Sequence, residues 1–149
     1  KQIFAVIRNP VDRALKAWSW ASRQRTWSPL VSDAQSQVYS SLFAASDPSK
    51  FFEVIDFASL AKVCHHFTRQ IDYLDIPHVK LITLENLQDE LDELVSEYGG
   101  DRIMLPVEHV HQSDRPMADT LSAKAVDRVL DFYFDDSEMH QKLLENFQK

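Results

Sequence analysis

Glycine is nearly absent from this chain: there are two in 149 residues, Gly99 and Gly100, side by side. A GxxxxGK phosphate loop or a GxGxxG dinucleotide turn needs separated glycines next to a strand, so neither is present. Any anion bound here is held without a glycine-rich loop of the chain's own. Cysteine occurs once, at Cys64, which excludes an intramolecular disulfide and removes any requirement for an oxidising compartment. No apolar run approaches the ~18 residues that span a bilayer, and the sequence holds no signal-peptide pattern. Positive charge is also in deficit, 16 Lys and Arg against 23 Asp and Glu, for a net charge of −7. That balance argues against broad capture of nucleic acid or an anionic membrane. It leaves room for a local basic pocket around one small anion.

What is present suits a soluble domain with a real core: 44% of residues are hydrophobic and 26% charged. The expected organisation is a single domain over 1–149. The chain opens on Lys1 directly before a strand-like run, so the expectation is of a partial domain cut from something longer. Residues 2–7, QIFAVI, form an apolar run without a polar face, as a buried strand has. Asn9 can cap and Pro10 suits a first helical position, and Val11, Leu15 and Trp18 recur at helical spacing. A helix is therefore predicted over 10–25. Residues 26–50, rich in Ser, Asp and Pro, read as an insertion with a weak helical stretch at 34–45.

Farther along, Phe57, Leu60, Cys64, Phe67 and Ile71 fall at intervals of three and four, predicting one continuous helix. DIPHVKLITLE gives a turn and a second strand at 79–84. Leu87, Leu91, Leu94 and Tyr98 form the seam of the next helix, with Gly99 able to end it. Residues 101–118 read as an irregular loop. Val126, Val129, Leu130 and Tyr133 mark another helix, and Met139, Leu143 and Phe147 the apolar seam of a last one. Strands that each feed a helix imply an α/β fold with parallel strands. Two strands are too few for an independent sheet.

At Arg8 the first strand runs out against a helix start, where unpaired N–H groups and the positive end of the helix dipole collect. The guanidinium fork adds a match to phosphate or carboxylate, and Arg13 or Lys16 can approach from the helix. Residue types alone leave Arg8 open between this role and pairing with a carboxylate, and Lys16 open to an i,i+4 pair with Asp12.

IFAVIRNPVDRALKAW resembles the 3′-phosphate-binding strand and helix of sulfotransferases, in which Arg-x-Pro-x-x-Arg follows an apolar strand. HHFTRQIDYLDIPHVKLITLENLQDEL is similar to the His-Phe…Gln-x-x-Tyr-Leu segment and the Glu-Asn/Asp-Leu strand of the family-2 type, which includes many carbohydrate sulfotransferases. LPVEHVHQSDRP is similar to that family's Pro-His-x-Asn-x-Ser loop, and VLDFYFDDSEMHQKL to its Tyr-x-x-Asp helix. The four motifs stand in the family's order and cover nearly the whole chain.

The resemblance implies a P-loop-like three-layer α/β/α fold, helix-rich, with parallel strands. It also implies transfer of sulfuryl from 3′-phosphoadenosine 5′-phosphosulfate (PAPS) to an acceptor hydroxyl, expected on a carbohydrate. Arg8 would hold the cofactor's 3′-phosphate. Lys16 stands where the family has a serine on the same phosphate, Ser113 is retained, and Arg115 is within reach of a phosphate. His111 stands where the family has asparagine. The family's first strand and 5′-phosphosulfate loop have no counterpart in the chain, so the chain matches the C-terminal portion of such a domain. The rival reading is a truncated or degenerate relative that binds a partner or nucleotide without transferring sulfate. The unpaired cysteine leans toward a bacterial cytoplasm over the Golgi lumen.

No residue is assigned as the catalytic base, and the chemistry needs no metal. His65 or His66 can serve as a base or cap a core edge; adjacent on a helix they point about 100° apart, which does not suit a metal. His109 and His111 point the same way in an extended loop but lack a third ligand. Gln70 and Tyr73 are expected to support the structure. The acidic run from Glu85 to Glu97 reads as a solvated helix face, with Glu85 able to line the cleft or cap the helix. Trp18 is expected in the core, while Trp20 and Trp27 are open between core, cleft and sugar stacking.

Overall fold

β-Branched residues recur in both short apolar runs, joined by Phe4 in the first, and each run forms a strand. In the computed structural model, which describes residues 3–23, 47–105 and 118–147, β1 (Ile3–Ile7) is followed by α1 (Pro10–Ala21), α2 (Pro48–Val54) and α3 (Phe57–Val63). Two 3₁₀ turns follow, at His65–Phe67 and Ile71–Tyr73, and then β2 (Val79–Thr83). The remaining helices are α4 (Leu87–Glu97), α5 (Ala123–Phe132) and α6 (Phe134–Phe147), with a further 3₁₀ turn at Ala118–Thr120. β1 and β2 pair in parallel, in register from Ile3 with Val79 to Ile7 with Thr83. The described residues are helix-rich with one small parallel sheet, compatible with the general α/β class. Among the described residues no helix is long and apolar enough to cross a membrane. The helical stretch expected at 34–45 lies outside the described residues.

The described chain divides into two compact units. The first takes residues 3–9, 70–105 and 135–147 and contains the sheet, α4 and nearly all of α6. Ile7, Ile82, Leu91 and Leu94 are its buried apolar residues. The seam expected from Leu87 to Tyr98 is buried at Leu91 and Leu94, whereas Tyr98 is exposed. Glu90 departs from the expected solvated face: its carboxylate accepts the N–H of Thr83 at 2.9 Å and the Thr83 hydroxyl, tying α4 to the end of β2. Glu97 stays at the surface, paired with Lys80, and the half-buried Asp92 pairs with Arg102. Gly99 ends α4 as expected, at φ 67°, with its N–H on Ser96 and that of Gly100 on Val95.

The second unit takes residues 10–23, 47–69 and 118–134 and holds the aromatic core. Phe51, Phe52, Phe57, Phe67 and Tyr133 are buried together with Leu15, Leu60 and Val129. Phe52 and Phe57 stack at 5.9 Å, and Tyr133 meets Phe57 edge-on. Trp18 packs on this core as expected, whereas Trp20 is exposed. α2 corrects the insertion expected over 26–50, since its first turn falls inside that range. Asp47 caps it by accepting the Lys50 N–H at 3.1 Å, and Pro48 occupies the first helical position.

The continuous helix expected from Phe57 to Ile71 also needs correction. α3 stops at Val63, and Cys64 is extended (φ −135°, ψ 99°). Tertiary bonds prevail over helical continuity: past the break, the Phe67 carbonyl accepts the Tyr133 hydroxyl at 2.7 Å and the Thr68 carbonyl accepts the Arg13 guanidinium. Cys64 and Phe67 nonetheless remain buried. Burial pushes the Cys64 thiol above its ordinary value, outweighing the N–H groups of His66 and Phe67.

Two outcomes are expected from these features. Gly99→Ala forces a side chain into the left-handed region and should destabilise by about 1 kcal/mol, with Gly99→Asn losing less, read from urea midpoints. Cys64 should resist an aromatic disulfide reagent while the protein is folded and react fully in denaturant; fast native labelling would show that the thiol is not sealed.

Candidate functional site

Parallel strands deliver their carboxyl ends to one edge. Because Ile7 is paired with Thr83, the chain leaves the sheet side by side at Arg8–Asn9 and at Leu84–Glu85. The Leu84 N–H still reaches the Ile7 carbonyl at 2.8 Å, so the two departures are held together at their start. In α/β folds ligands bind at this edge of the sheet.

Arg8 has its backbone fixed by a side chain. Its N–H donates to Gln70 Oε1 at 3.0 Å, and its carbonyl accepts from Gln70 Nε2 at 2.9 Å. A primary amide thus supplies the donor and acceptor that a neighbouring strand residue would have supplied. Gln70 is itself buried, and its N–H donates to Asp136 Oδ2 at 2.7 Å. The other Asp136 oxygen accepts the Ile71 N–H at 2.9 Å. Asp136 lies in α6 with no solvent exposure, its two oxygens satisfied by consecutive backbone donors.

Asn9 is held by a second set of groups. Its N–H donates to Glu85 Oε1 at 3.4 Å, and Glu85 Oε2 lies 3.0 Å from Nε2 of the buried His140. Nε2 lacks hydrogen-bond alignment, so the contact with Glu85 is a close electrostatic approach of ring nitrogen to carboxylate. Burial pushes the Glu85 carboxyl up, but His140 alongside and the N–H groups of Glu85 itself and Asn9 outweigh it. The group sits below the usual carboxylate range.

The residues expected to bind the anion are distributed unevenly. Arg8 is here, half-buried, and no hydrogen bond or ion pair engages its guanidinium among the described residues. Lys16 lies exposed on α1, in the second unit. Ser113 and Arg115 lie outside the described residues, as do Trp27, His109 and His111. Arg13 does not stand ready for an anion: it donates to the Thr68 carbonyl, 5.9 Å over the Tyr133 ring. Gln70 supports the structure, as expected.

His65 and His66 occupy a 3₁₀ turn of the second unit, their rings 4.1 Å apart, with Trp20 4.1 Å from His66. Burial lowers the His66 pKa, and the charges of His65 and Arg13 lower it further. Among the described residues no group of three His, Cys, Asp or Glu side chains could hold a metal.

The sequence marks Asp136 only as the Asp of the Tyr-x-x-Asp resemblance, without a role, and does not mark His140. The seam of α6 was expected at Met139, Leu143 and Phe147, yet these are only half-buried, and the residues fully inside are the two polar ones. Their spacing of four on one helical face was the available signal, masked by the apolar seam beside it. No family model, curated protein or solved structure matches the chain.

The depressed Glu85 pKa links this edge to pH. A carboxylate lowered on folding contributes stability above its unfolded pKa and loses it as pH falls through the folded value. The stability advantage of the natural chain over Glu85→Gln should therefore shrink through that acid range, read by thermal unfolding at stepped pH. A difference that does not vary with pH would remove Glu85 from the linkage.

Proposed function

We propose that this chain is of the sulfotransferase type and that Arg8 holds the 3′-phosphate of 3′-phosphoadenosine 5′-phosphosulfate. The observation that carries the reading is the placement of Arg8: it sits at the carboxyl end of parallel strands, its backbone is clamped, and its guanidinium is not engaged by the described residues. This is the arrangement a phosphate site needs, a planar fork on an immobile base. The P-loop-like three-layer fold belongs to the same proposal. Ile3, Phe4 and Val6 of β1 stay two-fifths or more exposed, and a three-layer parallel sheet covers such residues on both faces.

The fit with the cofactor covers one end. Arg8 matches the 3′-phosphate, and Lys16, Ser113 and Arg115 are assigned to the same phosphate by the motif resemblance alone. When bound, the cofactor supplies an activated sulfuryl group for an acceptor hydroxyl, here proposed to be on a carbohydrate. Arg8 contributes orientation and charge neutralisation, the main protein contributions to a transfer of this kind. Glu85 takes the Asn9 N–H, so that donor faces a carboxylate and not the ligand. No residue is assigned to the 5′-phosphosulfate, and the two adjacent glycines build no loop for it.

That gap supports a second reading, nucleotide binding without transfer. Glu85, at the same strand edge as Arg8, is pinned between Asn9 and His140 and poorly placed to accept a proton. Transfer of sulfate to a carbohydrate separates the two readings; binding tests what they share.

The binding test is calorimetric titration with adenosine 3′,5′-bisphosphate. Arg8→Ala should weaken binding about 10- to 100-fold, the value of a charge-assisted bond of about 1.5–3 kcal/mol. Adenosine 5′-phosphate should bind more weakly than the bisphosphate. A folded chain that binds both nucleotides equally, or binds regardless of Arg8, would overturn the reading.

A further inference from the structure

Helix α6 buries two polar residues, Asp136 and His140, one turn apart on a single face, while its apolar seam is only half-buried. Each begins a chain of contacts that ends on the backbone beside β1. Asp136 accepts the N–H of Gln70, and Gln70 clamps both backbone groups of Arg8. His140 faces Glu85, and Glu85 accepts the N–H of Asn9. Two adjacent residues of the strand end are thus held by two residues of one helix, each through one intermediary.

We propose that α6 is the brace of the anion site, with Asp136 and His140 acting as positioning residues that set the Arg8–Asn9 backbone through Gln70 and Glu85. The inference rests on the reading of Arg8 as the ligand-contacting residue and extends it to groups that touch no ligand. Burying a carboxyl and an imidazole is a poor way to gain stability, since well-packed apolar residues of similar size do as well or better. What these groups supply is geometry. Backbone donors and acceptors accept a partner along defined directions, so the path from α6 to Arg8 is fixed bond by bond. A guanidinium that must meet two phosphate oxygens at once gains from such a fixed origin, because small misplacements weaken both contacts together. Gln70 is the essential intermediary: the amide group offers an acceptor and a donor side by side, whereas a glutamate at this place would lose the donor to the Arg8 carbonyl.

The test is a double-mutant cycle. Asp136→Asn keeps the volume but replaces one acceptor with an amide NH₂ facing a backbone N–H. Gln70→Met removes the clamp while filling its space, in case the first variant does not fold. Affinity for adenosine 3′,5′-bisphosphate is measured for each, alone and combined with Arg8→Ala, alongside amide hydrogen exchange at Arg8 and thermal unfolding. Each variant should weaken binding about tenfold when Arg8 is present and have little effect when it is absent. Arg8 amide exchange should accelerate beyond the change in global stability. An equal loss of affinity in both Arg8 backgrounds would mean that the variant acts only on the fold, and would overturn the proposal. If the natural chain binds no bisphosphate, the functional reading falls and exchange alone decides the brace: selective acceleration at Arg8 sustains it, and unchanged Arg8 exchange in the folded variants ends it.

Discussion

Parallel pairing of β1 with β2 is the constraint from which the site follows. Two strands running the same way cannot be joined by a tight turn, so a long stretch of chain must intervene between them. In return both strands end at the same edge, and residues far apart in sequence, Arg8–Asn9 and Glu85, leave the sheet together. The backbone beyond the last ladder bond would lack partners there. Gln70 supplies them for Arg8, and Glu85 for the N–H of Asn9.

The two units solve the problem of burial in different ways. The second is held by an aromatic cluster in which edge-on and stacked rings fill space without directional demands, apart from the Tyr133 hydroxyl on the Phe67 carbonyl. The first has few buried apolar residues and relies on polar groups placed inside it: Gln70, Thr83, Asp136 and His140. Thr83 and Glu90 hold β2 to α4 in the same manner that Gln70 holds Arg8 to Asp136. Apolar packing tolerates small displacements, whereas this second kind of interior specifies orientation.

Both strands were legible in the sequence because their apolar runs are short, β-rich and bounded, and the start of α1 was marked by Asn9-Pro10. α4 was legible from its leucines and from Gly99. What escaped was governed by partners distant along the chain. Cys64 breaks a good helical pattern because Tyr133 and Arg13 claim the carbonyls after it. Arg13 is placed by helical geometry to approach the strand end, yet bonds a carbonyl of its own unit. α2 was overlooked although Asp47-Pro48 is a strong start signal, because the Ser- and Asp-rich composition around it outweighed two residues. At the strand end, the position of Arg8 against a helix start and the structural role of Gln70 were legible. Asp136 is marked only as the Asp of the Tyr-x-x-Asp resemblance, and His140 by nothing, since a polar residue beside an apolar seam carries no sign that it, and not the seam, faces inward.

The links around Arg8 also have a kinetic meaning. They join residues 62, 66 and 76 positions apart, and the first unit is stitched from three separated stretches of chain. Contacts of such long sequence separation carry the full loop-closure entropy and form late. Synthesis runs from β1 towards α6, so Arg8 emerges well before Asp136 and His140 and spends the intervening elongation without them. The network around Arg8 closes only when the last of these stretches has emerged, so its geometry belongs to the whole unit and to no local segment of it.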